Sequence, residues 1–220
     1  MSPPSRLKGE FLSAQREGSP VSGARRLTTV CVFCGSQPGA RPAYVEATRE
    51  LGALLAARGI DVVYGGGQVG LMGALAAAAL AAGGRVTGII PQHLMQPEVA
   101  HGGLTELAVV DSMHTRKRLM AERSDAFIVL PGGFGTFEEM FEMITWLQLD
   151  LQAKPVGILN LGGYYDRLLD FLRYAASEGF IRPQHADLLI VESSASRLLE
   201  RLRLYQHATA GPVAPNLDRS

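Results

Sequence analysis

From Thr28 onward, short apolar runs alternate with longer segments in which apolar residues recur every three or four positions. The runs at 28–34, 60–64, 85–90, 105–110, 126–130, 155–160 and 188–192 read as strands. Most are apolar throughout rather than alternating, the pattern of strands in a parallel sheet covered on both faces. The segments at about 42–58, 70–82, 112–123, 136–149, 163–178 and 194–205 read as helices. Strict alternation of the two predicts a doubly wound, Rossmann-like α/β domain with a mostly parallel sheet, helices on both faces and right-handed crossovers. Ligands of such sheets bind beyond the carboxyl ends of the strands, so chemistry is expected in the loops after the first, second and fifth strands. Residues 1 to 27 mix Ser, Pro, Gly and Arg without periodicity and read as a disordered, mildly basic arm. Residues 28–207 form the predicted domain, and 208–220 a flexible tail.

The fifth strand leads into the segment around which the chain is organised, Ala126-Phe-Ile-Val-Leu-Pro-Gly-Gly-Phe-Gly-Thr-Phe-Glu-Glu139. Pro131 stops the strand, and Gly132, Gly133 and Gly135 leave the backbone of the turn uncovered by side chains. A helix is then expected, with Thr136 as its N-cap and Glu139 at the spacing of a capping box. Strand, glycine loop and helix start converge backbone N–H groups and a positive dipole end on one point, a site for an anion such as phosphate. Without a ligand, the same segment is a tight strand-to-helix turn.

Two other loops have related features. After the second strand, Gly65, Gly67 and Gly70 satisfy the dinucleotide-binding pattern G-x-G-x-x-G. That pattern calls for an acidic residue about 20 positions on. The next strand instead ends Gly88-Ile-Ile-Pro-Gln92, which weakens an NAD site. Gly66 and Gly67 remain candidates for nucleotide contact, as do Gly35 and Ser36 after the first strand.

On the helix predicted from Thr136, Phe137, Met140, Phe141, Ile144 and Gln148 form a stripe expected to lie on the sheet. Glu139, Met143 and Trp146 fall on another side, where Met and Trp suggest a second buried surface, a base pocket or a subunit contact. A homodimer with its interface beside the site is the preferred reading. Earlier, Arg116, Lys117 and Arg118 are consecutive on a predicted helix. Each step turns a helix by about 100°, so at most two of them can face one ligand; the simplest reading is a solvated face.

Composition narrows the function. Lys+Arg and Asp+Glu balance at 21 each, which argues against nucleic acid or a membrane surface as partner. No apolar run reaches transmembrane length without Gly or charge, and no signal-peptide pattern appears near Met1, so a cytoplasmic protein is expected. Cys31 and Cys34 make a Cys-x-x-Cys, but within an apolar strand pattern residues three apart point to opposite faces. Buried free thiols are expected rather than a redox or zinc pair. His93, His101, His114, His185 and His207 lack ligand spacing, and no metal site is expected.

Taken together, these motifs resemble the Lonely Guy (LOG) family of cytokinin-activating phosphoribohydrolases. Pro131 to Glu139 matches the family's Pro-Gly-Gly-x-Gly-Thr-x-x-Glu, and Met113 to Lys117 its Met-His-x-Arg-Lys. Cys31-Val-Phe-Cys-Gly-Ser36, the Gly65–Gly73 loop, Ile144-Thr-Trp146, Lys154-Pro-Val-Gly157 and Gly163-Tyr-Tyr165 match as well. The likeness runs from about Thr28 to about Leu204. It implies hydrolysis of the N-glycosidic bond of AMP or N6-modified AMP (N6-isopentenyl-AMP among them), releasing base and ribose 5-phosphate without a cofactor. By the same resemblance, Arg116 and Glu139 correspond to the catalytic pair, and Glu98, Lys117, Gly133, Gly135, Thr136 and Thr145 to substrate-binding positions. Gly132 belongs to the loop on which the 5′-phosphate would rest. Its Met-His-x-Arg-Lys looks like that of the dimeric branch.

The chemistry is compatible with that assignment. Departure of the base leaves positive charge on the ribose, which a carboxylate stabilises; an arginine stays charged and serves as a hydrogen-bond donor rather than an acid. The label lysine decarboxylase, often attached to the family, implies a pyridoxal phosphate held by a lysine Schiff base. Neither Lys117 nor Lys154 looks like such a lysine. The alternative reading is a non-catalytic nucleotide or molybdenum-cofactor carrier of related fold, which would have no need of the Arg116–Glu139 pair.

Overall fold

The computed structural model describes residues 24–95 and 103–207. Among them are seven strands: β1 (Thr29–Phe33), β2 (Asp61–Tyr64), β3 (Val86–Pro91), β4 (Glu106–Val110), β5 (Ala126–Val129), β6 (Val156–Leu159) and β7 (Leu189–Glu192). The helices are α1 (Pro42–Ala57), α2 (Gly70–Ala81), α3 (Met113–Glu122), α4 (Phe134–Gln148), α5 (Asp166–Ser177), the single turn α6 (Pro183–Ala186) and α7 (Ala195–Leu204). The strands form one sheet in the order β4-β3-β2-β1-β5-β6-β7, and every neighbouring pair is parallel. The expected doubly wound α/β fold is the one observed. Its order reverses between β1 and β5, so the loops leaving those two strands flank the switch point.

Two apolar clusters cover the sheet. Val30, Val32, Val62, Tyr64, Ala126 and Ile128 pack with residues of α1, α2 and α7. Cys31, Phe33, Val63, Phe127, Val129, Val156 and Ile158 pack with residues of α3 and α4. Adjacent residues of β1 and β5 fall into opposite clusters, which is why these strands are apolar at every position. Cys31 and Cys34 are likewise divided between the clusters, both buried as free thiols. Burial, reinforced by the charge of Glu139, pushes both thiols well above their ordinary pKa.

The rotation of α4 differs from the expected one. Its buried residues are Thr136, Glu139, Met140, Met143 and Leu147, while Phe141 and Gln148 of the predicted core stripe are exposed. Both sets have helical period; the helix takes the setting that brings Glu139 to an arginine on α3 and Met143 and Leu147 onto the sheet. Phe141, Ile144, Thr145 and Gln148 instead line an apolar groove of about 580 Å³ with Leu169 and Leu172 of α5 and Val191 of β7. None of the α5 residues is fully buried.

Ahead of β1, residues 24–27 pack on the domain. Arg25 donates from its backbone to the Arg203 carbonyl and from its guanidinium to the Ala153 carbonyl (2.9 Å), and Leu27 joins the core. The rest of the expected arm and the 208–220 tail lie outside the described residues. No helix among the described residues is long and apolar enough to cross a membrane.

Candidate active site

Ser112 starts α3, its hydroxyl accepting from the Thr115 N–H at 3.1 Å, an N-cap of the usual kind. This sets the direction of the three cations that follow. Arg118 points outward to Glu122 at 3.0 Å, an ordinary surface pair. Arg116 and Lys117 are buried instead, so the solvated-face reading fails for two of the three. Two is also the most that helical geometry allows.

Arg116 is held at several points. Its Nε donates to the Ile89 carbonyl at the end of β3 (3.0 Å), and its Nη1 to Glu139 Oε1 (2.7 Å). Its Nη2 rests on Gly65, where a Cβ would stand 2.4 Å away. Glu139 is 7% exposed. Burial pushes its carboxyl up against the opposing pull of the Arg116 charge and hydrogen bond, and the net direction is upward. A buried ion pair costs desolvation and is weak evidence for stability on its own, so its presence here makes the pair a candidate for function. Lys117 Nζ reaches two carboxylates of α4: it bonds Glu138 and lies 2.9 Å from Glu142 Oε2. Burial alone would lower the Lys117 pKa, but these carboxylates outweigh it and hold the ammonium charged.

The glycine turn after β5 differs from the expected capping box. The helix begins at Phe134 with Gly133 as N-cap, and no side chain caps it. Thr136 therefore lies inside the first turn, and Glu139 is spent on Arg116 rather than on a cap. The glycine backbone lets the helix start two residues early and leaves its first N–H groups without a side-chain acceptor. Gly132 is required by contact: a Cβ there would meet Thr136 Oγ1 at 2.1 Å. At Gly133 and Gly135 a Cβ would meet nothing within 4 Å. Thr136 and Glu139, three residues apart, share the buried face and place the carboxylate one turn along from the glycine loop.

Gly35 and Ser36 join this region. Together with Tyr44, Gly132, Gly133 and Tyr164 they line a cavity of about 260 Å³ at the switch point. Gly66 and Gly67 do not open onto it. Both are buried, Gly66 against Ile90 and Leu107, and the Gly67 carbonyl accepts from the Tyr64 hydroxyl at 3.1 Å. Thr145 lies in the α4–α5 groove, with its hydroxyl donating to the Phe141 carbonyl (2.7 Å). Glu98 lies outside the described residues. Glu138 and Glu142, which seat Lys117, were not singled out from the sequence, though their i, i+4 spacing was an available signal; Gly65 was read there only as part of a dinucleotide-binding pattern, not as the seat of Arg116.

The sequence matches the family model described as "Possible lysine decarboxylase" over residues 72–202. It is 51% identical over 180 residues to the "Probable cytokinin riboside 5'-monophosphate phosphoribohydrolase LOGL9" of Oryza sativa subsp. japonica, covering 82% of this chain and 79% of that protein. The chain belongs to the LOG family. A further relative, the cytokinin riboside 5'-monophosphate phosphoribohydrolase LOG7 of Arabidopsis thaliana, is 47% identical over 82% of this chain and 83% of its own length. Among solved structures, a molybdenum cofactor binding protein from Rippkaea orientalis superposes with a TM-score of 0.59 at 23% identity, covering 80% of this chain and 94% of that one. The molybdenum cofactor carrier protein from Chlamydomonas reinhardtii gives 0.57 at 20% identity, over 78% of this chain and 92% of its own. At that identity the likeness is one of fold. The decarboxylase in the family model's description is not the activity in the names of these curated relatives. In this LOG protein the two candidate lysines are already engaged, Lys117 by carboxylates and Lys154 Nζ by the Ala121 carbonyl at 2.6 Å.

Proposed function

We propose that this protein is a phosphoribohydrolase that cleaves the N-glycosidic bond of AMP or N6-modified AMP. The observation that carries the proposal is the buried Arg116–Glu139 pair, 2.7 Å apart, one helical turn from glycines whose open side faces no protein atom. The names of its half-identical relatives support the same substrate class. The 5′-phosphate rests on the N–H groups of the Gly132–Thr136 turn and the start of α4, where dipole and unpaired donors favour an anion. As the bond from C1′ to the base breaks, positive charge develops on the ribose and Glu139 stabilises it. Arg116 donates a hydrogen bond to the departing base. Water supplies hydroxyl to C1′ and its proton to the base nitrogen, so no redox cofactor enters the balance. Lys117 lies beside the site with its charge met by Glu138 and Glu142, so it braces α3 against α4.

The homodimer belongs to the same proposal. The apolar groove between α4 and α5 is lined by exposed Phe141, and α5 also exposes Phe171 and Tyr174, the kind of surface that a second copy covers. Light scattering at micromolar concentration tests it, with a mass of one chain as the contrary result. We place the protein in the cytoplasm, consistent with its two free buried thiols.

Incubation of the pure protein with AMP and with isopentenyladenosine monophosphate, followed by chromatography, tests the activity. Release of base and ribose 5-phosphate is expected, and adenosine is expected to react at least about 100-fold more slowly, because the phosphate supplies positioning energy remote from the bond. Equal kcat/KM for AMP and adenosine removes the phosphate assignment. A nucleotide that binds and is never cleaved returns the carrier reading.

A further inference from the structure

We infer that Tyr164 is a positioning residue that aims the Gly133 N–H at the substrate phosphate; the inference rests on the phosphate site proposed above. It begins with the turn after β6. Gly162 and Gly163 both adopt positive φ (56° and 73°), folding the chain back so that Tyr164 and Tyr165 face the glycine turn that follows β5. Asn160 fixes this return by accepting from the Tyr165 N–H (2.9 Å) and donating to Asp166 (2.6 Å).

From there, three donors take three successive carbonyls. Tyr165 Oη donates to the Leu130 carbonyl at 2.8 Å, the Gly35 N–H to the Pro131 carbonyl at 3.0 Å, and Tyr164 Oη to the Gly132 carbonyl at 2.6 Å. In a trans peptide the C=O of one residue and the N–H of the next point in opposite directions. Fixing the Pro131 carbonyl on Gly35 and the Gly132 carbonyl on Tyr164 therefore turns the Gly132 and Gly133 N–H groups each away from its carbonyl's donor. Gly133 is the N-cap of α4, and a Cβ on it would face open space. Glycine imposes few limits of its own on peptide orientation, so an external hydrogen bond decides it.

The two tyrosines divide the task. Tyr165 is buried at 1% exposure and belongs to the core. Tyr164 is 39% exposed, its ring packed edge-on against Tyr165 (4.9 Å between centroids) and Tyr44 (5.9 Å). Those ring contacts survive in phenylalanine. Removing only the hydroxyl thus frees the Gly132–Gly133 peptide without emptying the core.

The test compares wild type with Tyr164→Phe, using as a control Tyr205→Phe, whose hydroxyl lies 3.3 Å from His207. Titration calorimetry with ribose 5-phosphate and with adenine reads phosphate and base binding separately, on ligands that are not consumed. Tyr164→Phe is expected to bind ribose 5-phosphate about tenfold more weakly, the effect of one hydrogen bond. Adenine affinity should stay within about twofold and the melting temperature within a few degrees, and Tyr205→Phe should bind both ligands as wild type does. In turnover, kcat/KM for AMP should fall about tenfold while that for adenosine does not change. Unchanged ribose 5-phosphate binding overturns the inference. Parallel losses for ribose 5-phosphate and adenine overturn it too, since they mark general loosening of the site. Should wild type bind ribose 5-phosphate but leave AMP intact, the hydrolase reading fails, while a phosphate-selective loss in Tyr164→Phe still sustains the role of the tyrosine.

Discussion

Two glycine loops of this protein look alike in sequence and differ in what their glycines admit. After β2, Gly65-Gly-Gly-Gln-Val-Gly70 leads into α2; after β5, Gly132-Gly-Phe-Gly135 leads into α4. The first is filled by the protein itself. The Gly35 carbonyl accepts from the Leu71 and Met72 N–H groups at 3.1 and 3.4 Å, occupying the N-terminus of α2. Gly70, with φ of 62°, is pressed so close to Ser36 that a Cβ would lie 2.3 Å from its carbonyl carbon, and Gly65 seats Arg116. In the second loop, Gly133 and Gly135 face nothing, and no side chain caps α4. Glycine permits close approach in both loops, of protein backbone and side chain in one and of open space in the other. The dinucleotide pattern of the first loop is thus used for packing, and the second is the proposed anion site.

The largest effect is expected at Glu139, which pairs with Arg116 seated on Gly65 of the first loop and lies one turn along the helix that the second loop opens. Glu139→Gln keeps the shape and one hydrogen-bond acceptor but removes the charge beside the ribose. It should lower kcat by at least about 100-fold while AMP still binds. Full turnover in this variant would reduce Glu139 to a structural partner of Arg116.

A replacement in the filled loop should instead damage the fold. Gly70→Ala forces an unfavourable φ and a clash with backbone, and is expected to cost about 2 kcal/mol or more, a fall of roughly 4–8 °C in Tm. The matching replacement in the open loop, Gly133→Ala, should leave Tm within about 2 °C and lower kcat/KM for AMP by roughly 30-fold, because the added methyl would crowd the proposed phosphate site. If Gly133→Ala were destabilised and fully active, the two loops would have exchanged roles.

Gly65→Ala sharpens the distinction, since its new Cβ meets the flexible end of Arg116 rather than backbone. We expect about a tenfold loss of kcat with Tm nearly unchanged, measured by steady-state kinetics and thermal melting. A subtler consequence concerns pH. Glu139 must be ionised to stabilise positive charge, and burial holds its pKa above that of an ordinary glutamate. As pH falls through that raised value the carboxylate takes up a proton and the activity is lost. The acid limb of kcat/KM for AMP should therefore lie above the usual glutamate range of about 4.3. A limb at or below that range would separate Glu139 from the reaction.

Much of this protein could be read from its residues in order. Runs such as Val30–Phe33 and Ala126–Leu130 are apolar at every position, and only a strand covered on both faces makes use of that. The positions of the strands, the parallel sheet and the divergence of Cys31 from Cys34 all follow from local periodicity. So does the limit that at most two of Arg116, Lys117 and Arg118 could face one ligand. Periodicity does not extend to the choice between two helix faces of equal period. On α4, Phe137–Phe141–Ile144 and Thr136–Glu139–Met143 are both plausible stripes, and the choice came from Arg116, 23 residues away in sequence and on another helix. The same holds for the start of α4 at Phe134, because a glycine N-cap leaves no side-chain signature. Which glycine loop stays open was decided by Gly35, on the loop after β1, whose carbonyl enters one helix N-terminus and whose N–H braces the turn before the other. Local pattern determines which backbone conformations each segment can take; only the packed sheet, by bringing loops from distant strands together, determines which donors remain unpaired.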